Sequence, residues 1–358
     1  MVVEGELYIG ASGLQSGSLN SIGLCLIPPA LLFCPRPADM PSASQHQITD
    51  QNGLGFYRHN FDWATYIKHR PQYPPLFYSR LYDYHAAARP TNIFQSVHDE
   101  GTGPGLVAEK LAERFAHVIA SDPNIDYIKA AKERLAFDQQ GFPADKFSFV
   151  VEGSEKSSVT DESQDCVTIL EAIHWTDFQK TVSEAARQLK SGGTFCVVHY
   201  SLPQILDNNG AQGVWKNLVS SYVTDMLANA DLTMEHRALQ TVATGYDCIR
   251  FSEDVWEAGT QRRFTNCGGN RKKIGFPIAV QELEDKLGKD DKRTFVEEDT
   301  DWETTDCDLE WFQKTMDYFL GPSNSKQWFW NAFSDALEES DGKVTVSWPN
   351  VQIFATKK

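Results

Sequence analysis

Between residues 91 and 200, short apolar runs alternate with amphipathic stretches in a regular order. TNIFQSVHD (91–99), HVIASD (117–122), KFSFVV (146–151), DCVTILE (165–171) and TFCVVHY (194–200) read as five strands. Ala108, Leu111, Ala112 and Phe115 fall at i, i+3, i+4 and i+7, the spacing of one helix face. Ile125, Ile128, Ala131 and Leu135 continue a second helix behind Pro123, whose fixed φ suits a first helical turn. Phe178, Val182, Ala185 and Leu189 mark a third, which Gly192 and Gly193 are expected to end. Mostly apolar strands interleaved with helices predict a parallel sheet covered on both faces, an α/β architecture.

The flanks read differently. From Phe56 to His85 the chain is dense in aromatics, and Pro71, Pro74 and Pro75 separate a first helical turn from a second helix. Beyond Tyr200 the alternation weakens: residues 203–240 and 281–340 read mostly as helix, and GYDCIRF (245–251) as a strand. KVTVSWPNVQIFATK (343–357) reads as strand, a bend at Pro349, and strand again. A helical insertion ahead of the last strand would form a lid over the ligand edge of the sheet. Residues 1–55 are rich in Gly, Ser and Pro without a period and are expected to be a disordered extension. A single domain then covers 56–358, with its core at about 91–200, and Met40 offers a second translation start.

Charge and composition narrow the function classes. A formal net charge of -16 excludes a general nucleic-acid surface, which needs a basic footprint. The acid-dense block 296–311 reads as a solvated face. None of the seven cysteines forms a C-x-x-C pair, so a reducing, cytoplasmic setting is expected and no metal site is foreseen. No apolar run approaches the ~20 residues of a membrane helix. The nearest, 21–37, is broken by Pro28-Pro29 and preceded by Glu4 and Glu6 rather than basic residues, so it does not read as a signal peptide.

Candidate chemistry centres on VHDEGTGPGLVAEKL (97–111). Three glycines, Gly101, Gly103 and Gly105, stand between a strand and a helix, where backbone can approach a ligand and present N–H groups. The spacing is G-x-G-x-G. Leu106 occupies the position of the third glycine in the dinucleotide pattern G-x-G-x-x-G, which disfavours a nicotinamide oxidoreductase. A smaller ligand such as S-adenosylmethionine suits the loop. Asp122, ending the next strand, is placed to accept hydrogen bonds from ribose hydroxyls in either nucleotide class.

With these residues in view, the chain resembles the class I S-adenosylmethionine-dependent methyltransferases. More narrowly, it is similar to the fungal trans-aconitate methyltransferase-like group. YIKHRPQYPPLFYSRLYDYH (66–85), ILEAIHW (169–175) and RQLKSGGTF (187–195) carry the likeness, which runs from about Trp63 to the C-terminus and fades between 203 and 340. The resemblance implies a doubly wound, mostly parallel, seven-stranded Rossmann-like sheet with S-adenosyl-L-methionine as cofactor. It implies methylation of a small-molecule carboxylate or hydroxyl oxygen, in fungal secondary metabolism, with no nucleic-acid or membrane partner. The rival is a methyltransferase-like protein that binds cofactor or a partner without turnover.

Carried over residue by residue, the resemblance assigns Asp99, Gly101, Gly103, Gly105 and Asp122 to the cofactor. Tyr66 and Arg70 would meet its methionine carboxylate, and Glu155, after the third strand, its adenine. His174 is the candidate base for a hydroxyl acceptor, with Trp175 and Tyr200 beside the acceptor. Arg262 and Arg263, in the basic stretch 261–273, form a candidate anion clamp for a carboxylated substrate. One departure is plain: His98 and Glu100 stand where the family has aliphatic residues. Buried polar groups need partners; the pair reads first as tolerated at the strand's open end, and the alternative is that Glu100 points toward the ligand's ammonium.

Overall fold

The computed structural model describes residues 62–88, 94–136, 141–143, 145–228, 233–278, 280–297, 299–319 and 326–358. All lie in the compact unit His46–Lys358. The expectations for residues 1–55 and Met40 fall outside the described residues. Asp62 caps the first helix, α1 (Trp63–Lys68), by accepting from Thr65 N, and α2 (Pro75–Ala88) follows the prolines. The alternating core then runs β1 (Ser96–Glu100), α3 (Leu106–Ala112), β2 (His117–Ser121), α4 (Ile125–Arg134), β3 (Phe147–Val150) and β4 (Gln164–Leu170). It closes with α5 (Phe178–Gln188) and β5 (Leu189–Tyr200). Asn124 and Asp177 cap α4 and α5 through their side-chain oxygens.

The second half supplies β6 (Gln204–Ile205), α6 (Asn209–Ala228), α7 (Thr233–Ala243), β7 (Gln261–Thr265), β8 (Lys292–Val296) and β9 (Glu303–Cys307). After these come α8 (Leu309–Phe319), α9 (Gln327–Leu337), β10 (Val344–Ser347) and β11 (Asn350–Thr356). The main sheet has the order β3-β2-β1-β4-β5-β11-β7-β8. Strands β3 to β5 are parallel, and β11 runs antiparallel to both its neighbours. A small antiparallel sheet, β6-β10-β9, stands apart. Strand periodicity divides the core. Cys166, Cys196 and Val198 join one apolar cluster, while Val167, Ile169, Phe195 and Val197 join the other, so each strand feeds both faces. No helix of the described residues is long and apolar enough to cross a membrane.

Four expectations are corrected. The main sheet has eight strands rather than seven. The chain passes from α5 directly into β5, so Gly192-Gly193 lie within a strand. There Gly192 takes φ +75°, and the register shifts between the Gln164–Leu189 and Cys166–Thr194 pairs. Of the described residues in 281–340, only those of α8 and α9 are α-helical. Finally, 245–251 forms turns and 261–265 forms a strand, β7, which reverses the reading of both.

One buried arginine explains that reversal. Arg262 is fully buried in β7, and its guanidinium donates to Tyr246 O (2.9 Å) and Ile249 O (2.8 Å). The turn at 245–249 therefore folds around a cation instead of extending into a ladder. Asp247 lies 3.7 Å from Arg262, 3.4 Å from Arg271 and 2.7 Å from Arg293. Breaking a buried charged network costs about 3–5 kcal/mol. Arg262→Ala should therefore lose about that much stability in urea unfolding, and an unchanged midpoint would show the network to be dispensable.

Candidate active site

A cavity of about 620 Å³ lies over the carboxyl ends of β1, β2, β4 and β5. This is where the strand order turns back on itself between β1 and β4, the usual place for ligands in open α/β sheets. Of the residues expected in the site, Tyr66, Arg70, Asp99, Gly101, Gly103, Asp122, Glu155, His174, Trp175 and Tyr200 all line it. Gly105, Arg262 and Arg263 do not. Gly105 lies behind the loop as the left-handed N-cap of α3 (φ +81°), where a Cβ would come within 2.8 Å of Leu135. Arg262 is enclosed in the sheet, and Arg263 approaches Asp299 at 3.7 Å, so the expected anion clamp is not assembled at the cavity.

The loop's other glycines have distinct roles. Gly101 (φ +66°) packs so closely that a Cβ would stand 2.5 Å from that of Ala172. Gly103 (φ +55°) has open space where a side chain would point. Its N–H donates to Asp122 Oδ2 (3.1 Å), and Asn124 N donates to Oδ1 (2.9 Å). Burial pushes the Asp122 carboxyl up to about 7. Below it, Asp99 accepts from Thr102 Oγ1 (2.7 Å) and Thr168 Oγ1 (2.8 Å), and burial raises it to about 6. Glu155 accepts from Asp177 N (2.9 Å), which ties the cavity wall to the start of α5.

At the other end, Arg70 donates to Tyr66 OH and stands 3.7 Å from Glu171 Oε2. Its guanidinium lies over the rings of Tyr66, Tyr200 and Phe319, and its buried Nε makes no hydrogen bond. A buried guanidinium N–H beside the cavity suits a carboxylate such as the methionine tail of the cofactor.

Two participants escaped the sequence reading, Glu171 and His199. Glu171 follows β4 in a left-handed conformation (φ +58°), uncommon for a side-chain-bearing residue and frequent at functional sites. Its Oε1 accepts from Tyr200 N and lies 3.1 Å from His199 Nδ1. His174, on the 3-10 turn Ile173–Trp175, places Nδ1 2.7 Å from Tyr246 OH. Burial first, then His199 and Arg70, hold its imidazole well below the usual range, so it is neutral. Glu171, His174 and His199 present ligating atoms within 4.8 Å of one another, a grouping able to hold a metal ion.

His98 and Glu100 do not reach the cavity. Gln188, the last residue of α5, bridges them: its Oε1 lies 2.6 Å from His98 Nδ1, and its Nε2 donates to Glu100 Oε1 (2.9 Å). Ser121 Oγ meets His98 Nε2 at 2.7 Å. The polar pair is thus bridged inside the fold, with Glu100 Oε2 left without a hydrogen bond, and the alternative of a ligand-facing Glu100 does not hold.

Comparison with known proteins points to a methyltransferase. Residues 98–197, from β1 to β5, match the family described as a methyltransferase domain. The matched span and the relatives below support a methyltransferase domain of the class I type, with S-adenosyl-L-methionine as cofactor. Among curated proteins, the chain is 29% identical over 313 residues to methyltransferase AacuQ of Aspergillus aculeatus, covering 86% of this chain and 97% of that one. It is 27% identical over 303 residues to methyltransferase gedG of Aspergillus terreus, covering 82% and 91%. A solved type II methyltransferase candidate from Anaeromyxobacter dehalogenans aligns with TM-score 0.48 and 17% identity, over 80% of this chain and 97% of that one.

Burial raises Glu100 from 4.5 to about 8, so it is protonated in the fold at neutral pH. The unfolded chain, by contrast, ionises it from about 4.5 upward, so native stability falls as pH rises from 4.5 to 8 and levels off above. Thermal unfolding of Glu100→Gln across that window should lack this loss, and the variant should gain on the parent with rising pH. Parallel curves would mean that Glu100 is ionised in the native protein.

Proposed function

We propose that this chain transfers the methyl group of S-adenosylmethionine to a hydroxyl oxygen of a small, largely apolar acceptor. One observation carries the choice of acceptor. Among the described residues, each lysine or arginine lining the cavity already has an acidic partner: Arg70 with Glu171, Lys110 with Glu113, Arg134 with Glu109. The facing wall is mostly apolar, with Met226, Met234, Leu239, Val242 and Phe276, and the buried Glu235 within it would repel a carboxylate further. A polycarboxylate like the one that names the trans-aconitate-like group would meet no uncommitted cation there. The likeness to that group stands on its motifs, and the acceptor is read from the cavity. Such an acceptor fits fungal secondary metabolism, and the fungal relatives support that setting.

When bound, the cofactor supplies a methyl group on a positively charged sulfur. The chain's part is chiefly alignment and exclusion of water, for which positioning is worth about 7–11 kcal/mol. In this reading Asp122 accepts from the ribose hydroxyls, and Gly101 and Gly103 let the backbone lie against the ligand. Tyr66 and Arg70 hold the carboxylate tail, while Glu155 stands at the adenine end. His174, Trp175 and Tyr200 face the acceptor.

The reading is tested by mass spectrometry of reactions with isotopically labelled cofactor and matched panels of phenols and carboxylic acids. Label should enter hydroxyl acceptors. Label in carboxylic acids alone would overturn the choice, and tight cofactor binding without any product would favour the non-catalytic rival. Cofactor affinity is a separate check. Gly103→Val drives a branched side chain into open ligand space and should weaken binding more than tenfold, over ~1.4 kcal/mol. Asp122→Ala should lose a similar amount, since hydrogen bonds to charged groups are worth about 1.5–3 kcal/mol. Calorimetric affinities equal to the parent's in both would remove the cofactor assignment of this loop.

A further inference from the structure

We infer that His199, oriented by Glu171, is the general base that takes the proton of the acceptor hydroxyl, while His174 holds the acceptor oxygen as a hydrogen-bond donor. This rests on the hydroxyl-acceptor reading above. Both histidines line the cavity with their rings edge to face at 5.2 Å, but their surroundings differ.

His199 has Nδ1 at 3.1 Å from Glu171 Oε1, and that nitrogen has no other partner. With Nδ1 directed to the carboxylate, Nε2 is the atom left for an acceptor. The approach is close but not aligned as a hydrogen bond, as is common at catalytic pairs before substrate binds. Glu171 is fixed from several sides. Its backbone is left-handed, Tyr200 N–H donates to Oε1, and Arg70 faces Oε2 at 3.7 Å. A carboxylate held in this way selects the tautomer of its histidine and stabilises the imidazolium that proton transfer creates.

His174 lacks such a partner. Its Nδ1 meets Tyr246 OH at 2.7 Å. The buried Tyr246 hydroxyl keeps its proton, since burial raises it well above its usual range. In this assignment Tyr246 donates to Nδ1, and His174 carries its own hydrogen on Nε2. Burial, His199 and Arg70 keep that ring neutral, which makes it a weak base but a good donor.

The step balances. The acceptor oxygen bonds to the methyl carbon as the carbon–sulfur bond breaks, and the bonding pair stays on sulfur, which becomes a neutral thioether. The hydroxyl proton passes to His199 Nε2 and leaves to solvent with product release. The same three side chains can also be read as a metal site. Against this, an ion there would face Arg70 across the single carboxylate ligand and the cofactor's positive sulfur in the same cavity. Two imidazoles and one carboxylate would leave the ion's charge uncompensated beside two other cations, so the base–orienter pair is the better account.

The test uses the full chain with labelled cofactor and 2-naphthol as surrogate acceptor. His199→Ala should lower kcat by ~10²–10⁴-fold with cofactor affinity unchanged, and His174→Ala should act mainly on acceptor KM. The groups facing His199 are Glu171 beyond β4, His174 on its turn and Tyr246 on the 245–249 turn. In Glu171→Gln, kcat should fall while acceptor KM stays near the parent's, and Glu171→Asp should restore part of the lost kcat. Nitrogen-15 spectra of the cofactor-free protein should show neutral His199 protonated on Nδ1 and His174 on Nε2, a readout that does not depend on turnover. Parental kcat in His199→Ala, the opposite tautomers, or a rate abolished by EDTA and restored by Zn²⁺ or Mn²⁺ would overturn the assignment. If the parent leaves 2-naphthol unmethylated, the acceptor reading is at fault, and the tautomers still decide the role of His199.

Discussion

The site depends on one contact, between Gly101 after β1 and Ala172 after β4. A Cβ at Gly101 would lie 2.5 Å from that of Ala172, far inside van der Waals contact. The two strands are parallel neighbours, yet the chain leaves them toward different partners, β2 on one side and β5 on the other. Only a loop stripped of its side chain can lie against the turn that follows β4. This closeness brings the glycine loop, to which we assign the cofactor, against the segment that carries Glu171 and His174. Donor and acceptor chemistry therefore share a border one residue wide, and any side chain at Gly101 would part them.

Much of the fold was legible because it rests on local spacing. The five core strands, the helix faces of α3, α4 and α5, and the cofactor loop each lie within a short window, and their periodicity survives in the sequence. The same holds for Asp122 at the end of β2 and for His174 and Trp175 in one motif. His199 was not legible. In TFCVVHY it sits in an apolar run, where a histidine reads as a packing residue, and its partner Glu171 is 28 residues earlier. Only the sheet register brings them together: Leu170 pairs with Val198, and Glu171 N bonds Val198 O, so the next residues stand side by side.

Arg262 shows the opposite error. Among Arg263, Arg271 and Lys272, it read as part of a basic stretch and a candidate anion clamp. Its guanidinium is instead solvated by the carbonyls of Tyr246 and Ile249 and by Asp247, all lying upstream in a segment that read as strand. A buried cation needs donors satisfied and charge matched. Here a turn whose sequence carries no turn signature apart from Gly245 accepts from two of the guanidinium nitrogens and sets Asp247 against the charge, while Nε makes no hydrogen bond. Neither the strand nor the turn can be recognised without the other.

His98 and Glu100 extend this logic to the floor of the site. Aliphatic residues there would have packed without needing partners. The polar pair instead requires Gln188 from α5 and Ser121 from β2, and so joins three elements beneath the glycine loop. Because an unmatched buried polar atom costs more than a matched one contributes, this network holds α5 in register with β1 more strictly than apolar contacts would. Glu155 accepts from the N-cap residue of the same helix. One helix thus fixes both the base of the cofactor loop, through Gln188 at its end, and the cavity wall, through Asp177 at its start. The departure from an aliphatic strand is therefore compatible with a working site, because it lies beneath the glycine loop and outside the cavity.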